Sequence, residues 1–139
     1  MRYAARPMQT LPLRLRPGDD LKHALVAAAA GHDAAFVVAG IGSLSRAALR
    51  FAGVEHLQHL EGDLELLTLS GSLARNGVHL HATVADARGQ VRGGHVGPGC
   101  IVRTTAEILL VSLQPWQFSR EHDAATGFNE LVVRSGPAP

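Results

Sequence analysis

The chain has 139 residues, the size of one domain, and its 46% hydrophobic and 18% charged residues exclude a disordered polar chain. Thirteen Lys and Arg against twelve Asp and Glu give a net charge of +1, so the chain has no strong positive field that would attract DNA. The single Cys100 excludes an internal disulfide, and neither a signal peptide nor an apolar run of roughly 18 residues is present, so we expect a cytoplasmic protein without a membrane partner.

The first half of the chain predicts a strand, a helix and a second strand. Apolar and polar residues alternate over Gln9–Leu15, which indicates a half-buried strand, and Pro12 places it at a sheet edge. The segment "DDLKHALVAAAAGHD" has an acidic cap, helix-forming residues and a stop glycine, and predicts an amphipathic helix from about Leu21 to Ala30. "AAFVVAGIG" predicts a buried strand over Ala34–Gly42, and we interpret "SLSRAALRFAG" as a helical turn leading into another strand.

Further strands are predicted from the alternating segments "LELLTLSGSLA", "VHLHATVA" and "CIVRTTAEILLVSL". The tail after Trp116 is mixed, and both termini are expected to fray. Most connections are too short for crossover helices, so the sheet should be largely antiparallel, with the one main helix packed on a face. The sequence therefore predicts an α+β fold in a single domain, residues 1–139, with its core at about 11–131.

Three histidines lie near a predicted hairpin in the stretch "GVHLHATVADARGQVRGGH". The three-residue loop between Asp86 and Gln90 contains a glycine where a type I turn with a bulge needs the left-handed region. Counting outward from this turn pairs His81 with His95, and opposed residues of an antiparallel pair point to the same face. His79 lies two residues from His81 and therefore shares that face. The register predicts that the three imidazoles converge.

Three imidazoles with one open coordination position match the donor set of catalytic zinc. The predicted site is therefore a metal centre made of His79, His81 and His95, holding zinc or another divalent transition metal such as nickel. The alternative is a set of metal-free histidines on a polar surface. A one-residue slip of the hairpin would turn His95 to the opposite face and destroy the cluster.

Several strings together resemble the plants-and-prokaryotes conserved (PPC) domain family. They are "GIGSLSRAALR", "EGDLELLTLSGSLA", "VHLHATVADARGQVRGGHVGPGCIVRTTAEILL" and "DAATGFNEL", and the likeness extends from about Leu11 to Leu131, with Gly42, Ser43 and Arg50 among the matching positions. The resemblance implies an α+β domain that assembles as a homotrimer. It also implies a role in binding protein partners or DNA, and a metal at the three histidines.

Two functions follow from these observations. The first is a trimeric binding module that contacts proteins or DNA, although "RLRPGDD" lacks the R-G-R-P core with which an AT-hook enters the minor groove, which weakens the case for DNA. The second is a metal-dependent enzyme acting on a small molecule, in which Glu65, Glu107 or Arg50 supplies a proton acceptor or an anion clamp. The structural alternative is that the two glutamates pair with arginines or point outward.

Overall fold

The computed structural model describes residues 8–136, which form eight strands and one helix. Their bounds are β1 Gln9–Leu15, α1 Leu21–Ala29, β2 Ala34–Arg50, β3 Gln58–Ala74, β4 Gly77–Ala85, β5 Val91–Val96, β6 Ile101–Ser112, β7 Trp116–Asp123 and β8 Phe128–Ser135. Within this described part of the chain, no helix has the length and apolar character needed to span a bilayer.

Six strands form one antiparallel sheet in the order β1-β6-β2-β3-β4-β5, and β7 pairs with β8 in a separate two-stranded sheet. The carboxyl end of β2 also pairs with β5, through Leu49 with Val96 and Arg50 with His95. Strands β2, β3, β4 and β5 therefore form a closed ring of pairings at one end of the sheet. Closure satisfies backbone groups that an open edge would leave unpaired.

The core is aliphatic, as expected for a chain with few aromatic residues. Leu44, Leu66, Leu69 and Leu73 on β2 and β3 are fully buried, and α1 adds three buried residues to the same cluster. Burial of each such leucine contributes about 1.5–3 kcal/mol, so this inner face of the sheet supplies much of the stability.

The prediction of an α+β fold is wrong, because the architecture is mainly β and its helix has only nine residues. The segment "SLSRAALRFAG", interpreted as a helical turn leading into another strand, contains no helical turn: its first eight residues are the end of β2, which continues for 17 residues to Arg50 with bulges in its pairing. Its alanines and leucines favour a helix by only tenths of a kcal/mol per residue, whereas pairing with β3, β5 and β6 satisfies the backbone along its length.

The tail after Trp116 also differs from the prediction. It forms the β7–β8 hairpin, whose eight residue pairs run from Trp116 with Ser135 to Asp123 with Phe128. Phe118 is buried in a small apolar cluster beside Ala34 and Ala74, which fixes the hairpin against the main sheet. The parts of the termini predicted to fray at 1–7 and 137–139 lie outside the described residues.

Candidate metal centre

The hairpin that carries the histidines has the predicted turn. The Gly89 amide donates to the Asp86 carbonyl at 2.9 Å, and Gly89 has a φ of +75°. One carboxylate oxygen of Asp86 accepts from the amides of Arg88 and Gln90 at 2.9 and 3.0 Å. Asp86 therefore fixes the turn from which the register of β4 and β5 is counted.

The register of this hairpin is the predicted one, with His81 opposite His95. One ligand atom from each of His79, His81 and His95 lies within 4.8 Å of the others, and the Nε2 atoms of His79 and His81 are 3.1 Å apart. A tetrahedral ion with Zn–N distances of about 2.0–2.1 Å separates its nitrogen ligands by about 3.4 Å. Small rotations of these side chains would therefore suffice to surround an ion.

The surroundings of His79 and His95 favour the neutral form of the imidazole, which is the form that binds metals. Burial is the largest cause that lowers the pKa of His95 to about 4, and His79 and Arg50 lower it further. Burial also lowers the pKa of His79, assisted by Arg120 and His81. Near neutral pH these rings present lone pairs and need not lose a proton before binding an ion.

The strands around the histidines bring further polar groups to the same face. Arg50 on β2 is paired with His95, and Ser72 on β3 is paired with His79. Opposed residues share a face of the sheet, so Arg50 and Ser72 lie beside the imidazoles. Gly94 permits this closure, because a Cβ there would stand 2.6 Å from the Arg50 carbonyl oxygen.

The β7–β8 hairpin covers one side of the cluster. The Arg120 guanidinium donates through Nη2 to Ser72 Oγ at 2.6 Å, and its backbone amide donates to Asn76 Oδ1 at 2.8 Å. Asn76 Nδ2 returns a hydrogen bond to the Arg120 carbonyl at 3.0 Å. These bonds tie the hairpin to the β3–β4 turn, next to the strand that carries His79 and His81.

A cavity of about 430 Å³ opens beside the histidines. Strands β2, β4 and β5 of the main sheet, the β3–β4 turn and the β7–β8 hairpin build it. Its lining residues are Arg50, Asn76, Val78, His79, His95, Arg120, Phe128, Asn129 and Glu130. The sequence analysis does not identify Arg120 and Glu130 as site residues, because it predicts no strands in the tail after Trp116. The signal that could have found them is the turn-like string "DAATG" between two short segments that contain strand-forming aromatic and β-branched residues, which together predict a second hairpin.

The structure brings one of the three candidate catalytic residues to this cavity. Arg50 lines it, whereas Glu65 and Glu107 are exposed and lie outside its lining. Glu65 pairs with Ser43 in the β2–β3 ladder, and Glu107 pairs with Ile41 on the outward face of the sheet. The alternative that the two glutamates point outward is therefore the observed one.

The sequence of this chain is similar to those of known proteins. A family profile described as the Plants and Prokaryotes Conserved (PCC) domain matches residues 2–114. A Synechococcus protein named bifunctional protein GlmU is 50% identical over an alignment of 129 residues that covers 91% of this chain and 20% of that protein. The chain thus spans about a fifth of the length of the curated relatives it matches.

Solved structures share the fold over most of the chain. A hypothetical protein from Salmonella is 38% identical with a TM-score of 0.89, covering 96% of this chain and 99% of that one. A metal-containing protein from Archaeoglobus fulgidus is 25% identical with a TM-score of 0.77, covering 89% and 93%. A candidate DNA-binding protein from Ralstonia eutropha is 26% identical with a TM-score of 0.72, covering 88% and 89%.

Proposed function

The chain belongs to the Plants and Prokaryotes Conserved (PCC) domain family, and we propose that it is a metal-dependent binding module. His79, His81 and His95 hold one divalent transition-metal ion, zinc being the first candidate. The observation that carries this proposal is the approach of three imidazole nitrogens to within 4.8 Å of one another on one face of a closed strand ring.

The donor set fits such an ion. Three neutral imidazoles suit zinc, nickel or copper and leave at least one coordination position for a further ligand. A bound ion would supply Lewis-acid chemistry and a fixed positive charge at the cavity wall. The metal-containing relative from Archaeoglobus fulgidus, with the same fold, supports the proposal.

We extend the proposal to assembly as a homotrimer. The outward face of the sheet exposes large apolar side chains, with Phe36 at 40%, Val38 at 57%, Ile41 at 55% and Leu67 at 43% of their accessible surface. A grouped apolar surface of this kind is more typical of a protein interface than of a monomer surface. A symmetric assembly through this face would bury what the small aliphatic core of one chain leaves exposed.

A metal-dependent enzyme is the second candidate function, favoured by the cavity with charged walls beside the histidines. Direct DNA binding has weaker support. The net charge is only +1, and the description as a DNA-binding protein belongs to the relative from Ralstonia eutropha. A salt series on an AT-rich duplex tests it: lack of association at low salt would exclude sequence-independent binding by this chain.

The decisive experiment is elemental analysis of protein purified without an affinity tag. We expect about one transition-metal ion per chain in the parent. A His81→Ala, His95→Ala double variant should lose the ion. His56→Ala is the matched control, since His56 is exposed in the β2–β3 loop and outside the cluster, and it should retain the ion. Equal and negligible metal in all three proteins would refute the metal site.

A further inference from the structure

We propose that the cavity beside the histidines is an oxyanion subsite, in which Arg50 and Arg120 hold the carboxylate or phosphate group of a small molecule. The inference rests on the proposed function, because an oxygen of this group would occupy the open coordination position of the metal. It goes further by assigning the class of ligand and two residues that select it.

The first support is the Arg50 guanidinium, which has no protein acceptor in residues 8–136. Four other arginines have a carboxylate partner, in the pairs Arg46–Glu61, Arg75–Asp33, Arg103–Asp63 and Arg134–Glu121. Arg50 instead lines the cavity from a position paired with His95. A planar guanidinium with free donors is suited to bind a carboxylate or phosphate through two parallel hydrogen bonds.

The second support is Arg120, which is oriented by the fold and only partly satisfied. Its Nη2 donates to the buried hydroxyl of Ser72, which is paired with His79 across the β3–β4 ladder, so this bond holds the guanidinium near that histidine. Its Nε is the one buried side-chain nitrogen or oxygen in the described part of the chain that lacks a hydrogen-bond partner. Buried polar groups are normally hydrogen-bonded, so the unpaired Nε leaves the guanidinium incompletely satisfied at the point where Arg120 lines the cavity.

The charge balance of the lining also favours an anion. Two guanidinium groups line the cavity against one carboxylate, Glu130, which already accepts a hydrogen bond from Thr126 Oγ1 at 3.0 Å. A divalent ion on the histidines would add two further positive charges. The cavity is therefore net positive, although the chain as a whole is nearly neutral.

The remaining lining describes the rest of the ligand. The amides of Asn76 and Asn129 and the carboxylate of Glu130 can accept from a hydroxyl or amino group, and Val78 and Phe128 add an apolar wall. The cavity volume of about 430 Å³ suits a metabolite of modest size rather than a polymer. The ligand class is thus a small organic acid or phosphate ester that carries a hydrogen-bond donor.

The test separates the subsite from the metal. Equilibrium dialysis first measures how much cobalt(II) the protein binds. Inorganic phosphate and acetate are then titrated, in separate arms at constant ionic strength, into the cobalt-loaded and the metal-free protein by calorimetry. The visible spectrum of cobalt reports any anion that enters its coordination shell. The variants are Arg50→Gln and Arg120→Gln, with Arg14→Gln as control because Arg14 is exposed on β1, outside the cavity.

We expect at least one anion to shift the cobalt spectrum of the parent. Arg50→Gln and Arg120→Gln should each weaken its binding at least tenfold while cobalt stoichiometry is unchanged, and Arg14→Gln should match the parent. Equal affinity in all variants, or no binding of either anion, would overturn the subsite. Failure to bind cobalt would refute the metal site alone, and the metal-free titrations would still show whether the two arginines hold an anion.

Discussion

The carboxylate of Asp86 offers a direct way to ask what holds the histidine register. It accepts two backbone hydrogen bonds in the β4–β5 turn, at 2.9 and 3.0 Å. Each such bond contributes about 0.5–1.5 kcal/mol, and this turn is exposed, so Asp86→Ala should lower the free energy of unfolding by about 1–2 kcal/mol. Urea denaturation measures the loss, and Asp86→Asn should recover most of it because the amide oxygen can accept the same bonds.

Metal affinity should respond much less than stability to this change. His81 and His95 form the pair farthest from the turn, and β2 clamps that end of β5 through Leu49 and Arg50. We expect the dissociation constant for zinc to change by less than about threefold, which corresponds to under about 0.7 kcal/mol. Asp123→Ala is the matched control, since Asp123 caps the β7–β8 turn through the Ala125 amide. A large loss of zinc affinity in Asp86→Ala alone would refute the clamp and show that the turn sets the register.

Three further predictions follow from the same contacts. Gly94→Ala places a Cβ 2.6 Å from the Arg50 carbonyl oxygen, so β5 must move away from β2. The free energy of unfolding, measured by denaturation, should fall by about 1–3 kcal/mol. The affinity for zinc, measured by dialysis, should fall at least tenfold. Ile41→Lys puts a charge on the exposed apolar face and should convert trimers to smaller species in sedimentation velocity, whereas an unchanged trimer would place the interface elsewhere. The pKa of His95 is about 4 in the folded metal-free protein, below the ordinary value of 6.5, so the unfolded chain binds the proton more readily. The free energy of unfolding should therefore fall as the pH falls from about 6.5 to 4. The variant His95→Gln should show a weaker dependence of the free energy of unfolding on pH.

The parts of the fold that the sequence predicted correctly are those set by local chemistry. The glycine and aspartate of the β4–β5 turn determine its conformation, and the two-residue period then determines which side chains share a face, so the His81–His95 pair could be counted from the turn. The predicted helix is present from Leu21 to Ala29, with Asp20 accepting from the His23 amide at 2.9 Å as its cap.

The errors arose where distant segments decide the structure. Residues 43–50 have the composition of a helix, yet three strands pair with them and make them strand. The same long-range pairing places Arg50 beside His95, which no spacing along the chain indicates. Arg120 reaches the site from a hairpin that is nearly 40 residues beyond His81 in the sequence, held there by hydrogen bonds to Asn76 and Ser72.

Strand β5 therefore couples the proposed metal and anion sites. His95 is paired on one side with His81, which would bind the ion with it, and on the other with Arg50, which would bind the anion. Any shift of β5 along its neighbours moves His95 relative to both partners, so the two sites cannot be altered independently by a change of register. An ion that fixes His95 would also fix the strand to which Arg50 is hydrogen-bonded, and in this way metal binding would lower the entropy cost of ordering the arginine around an anion.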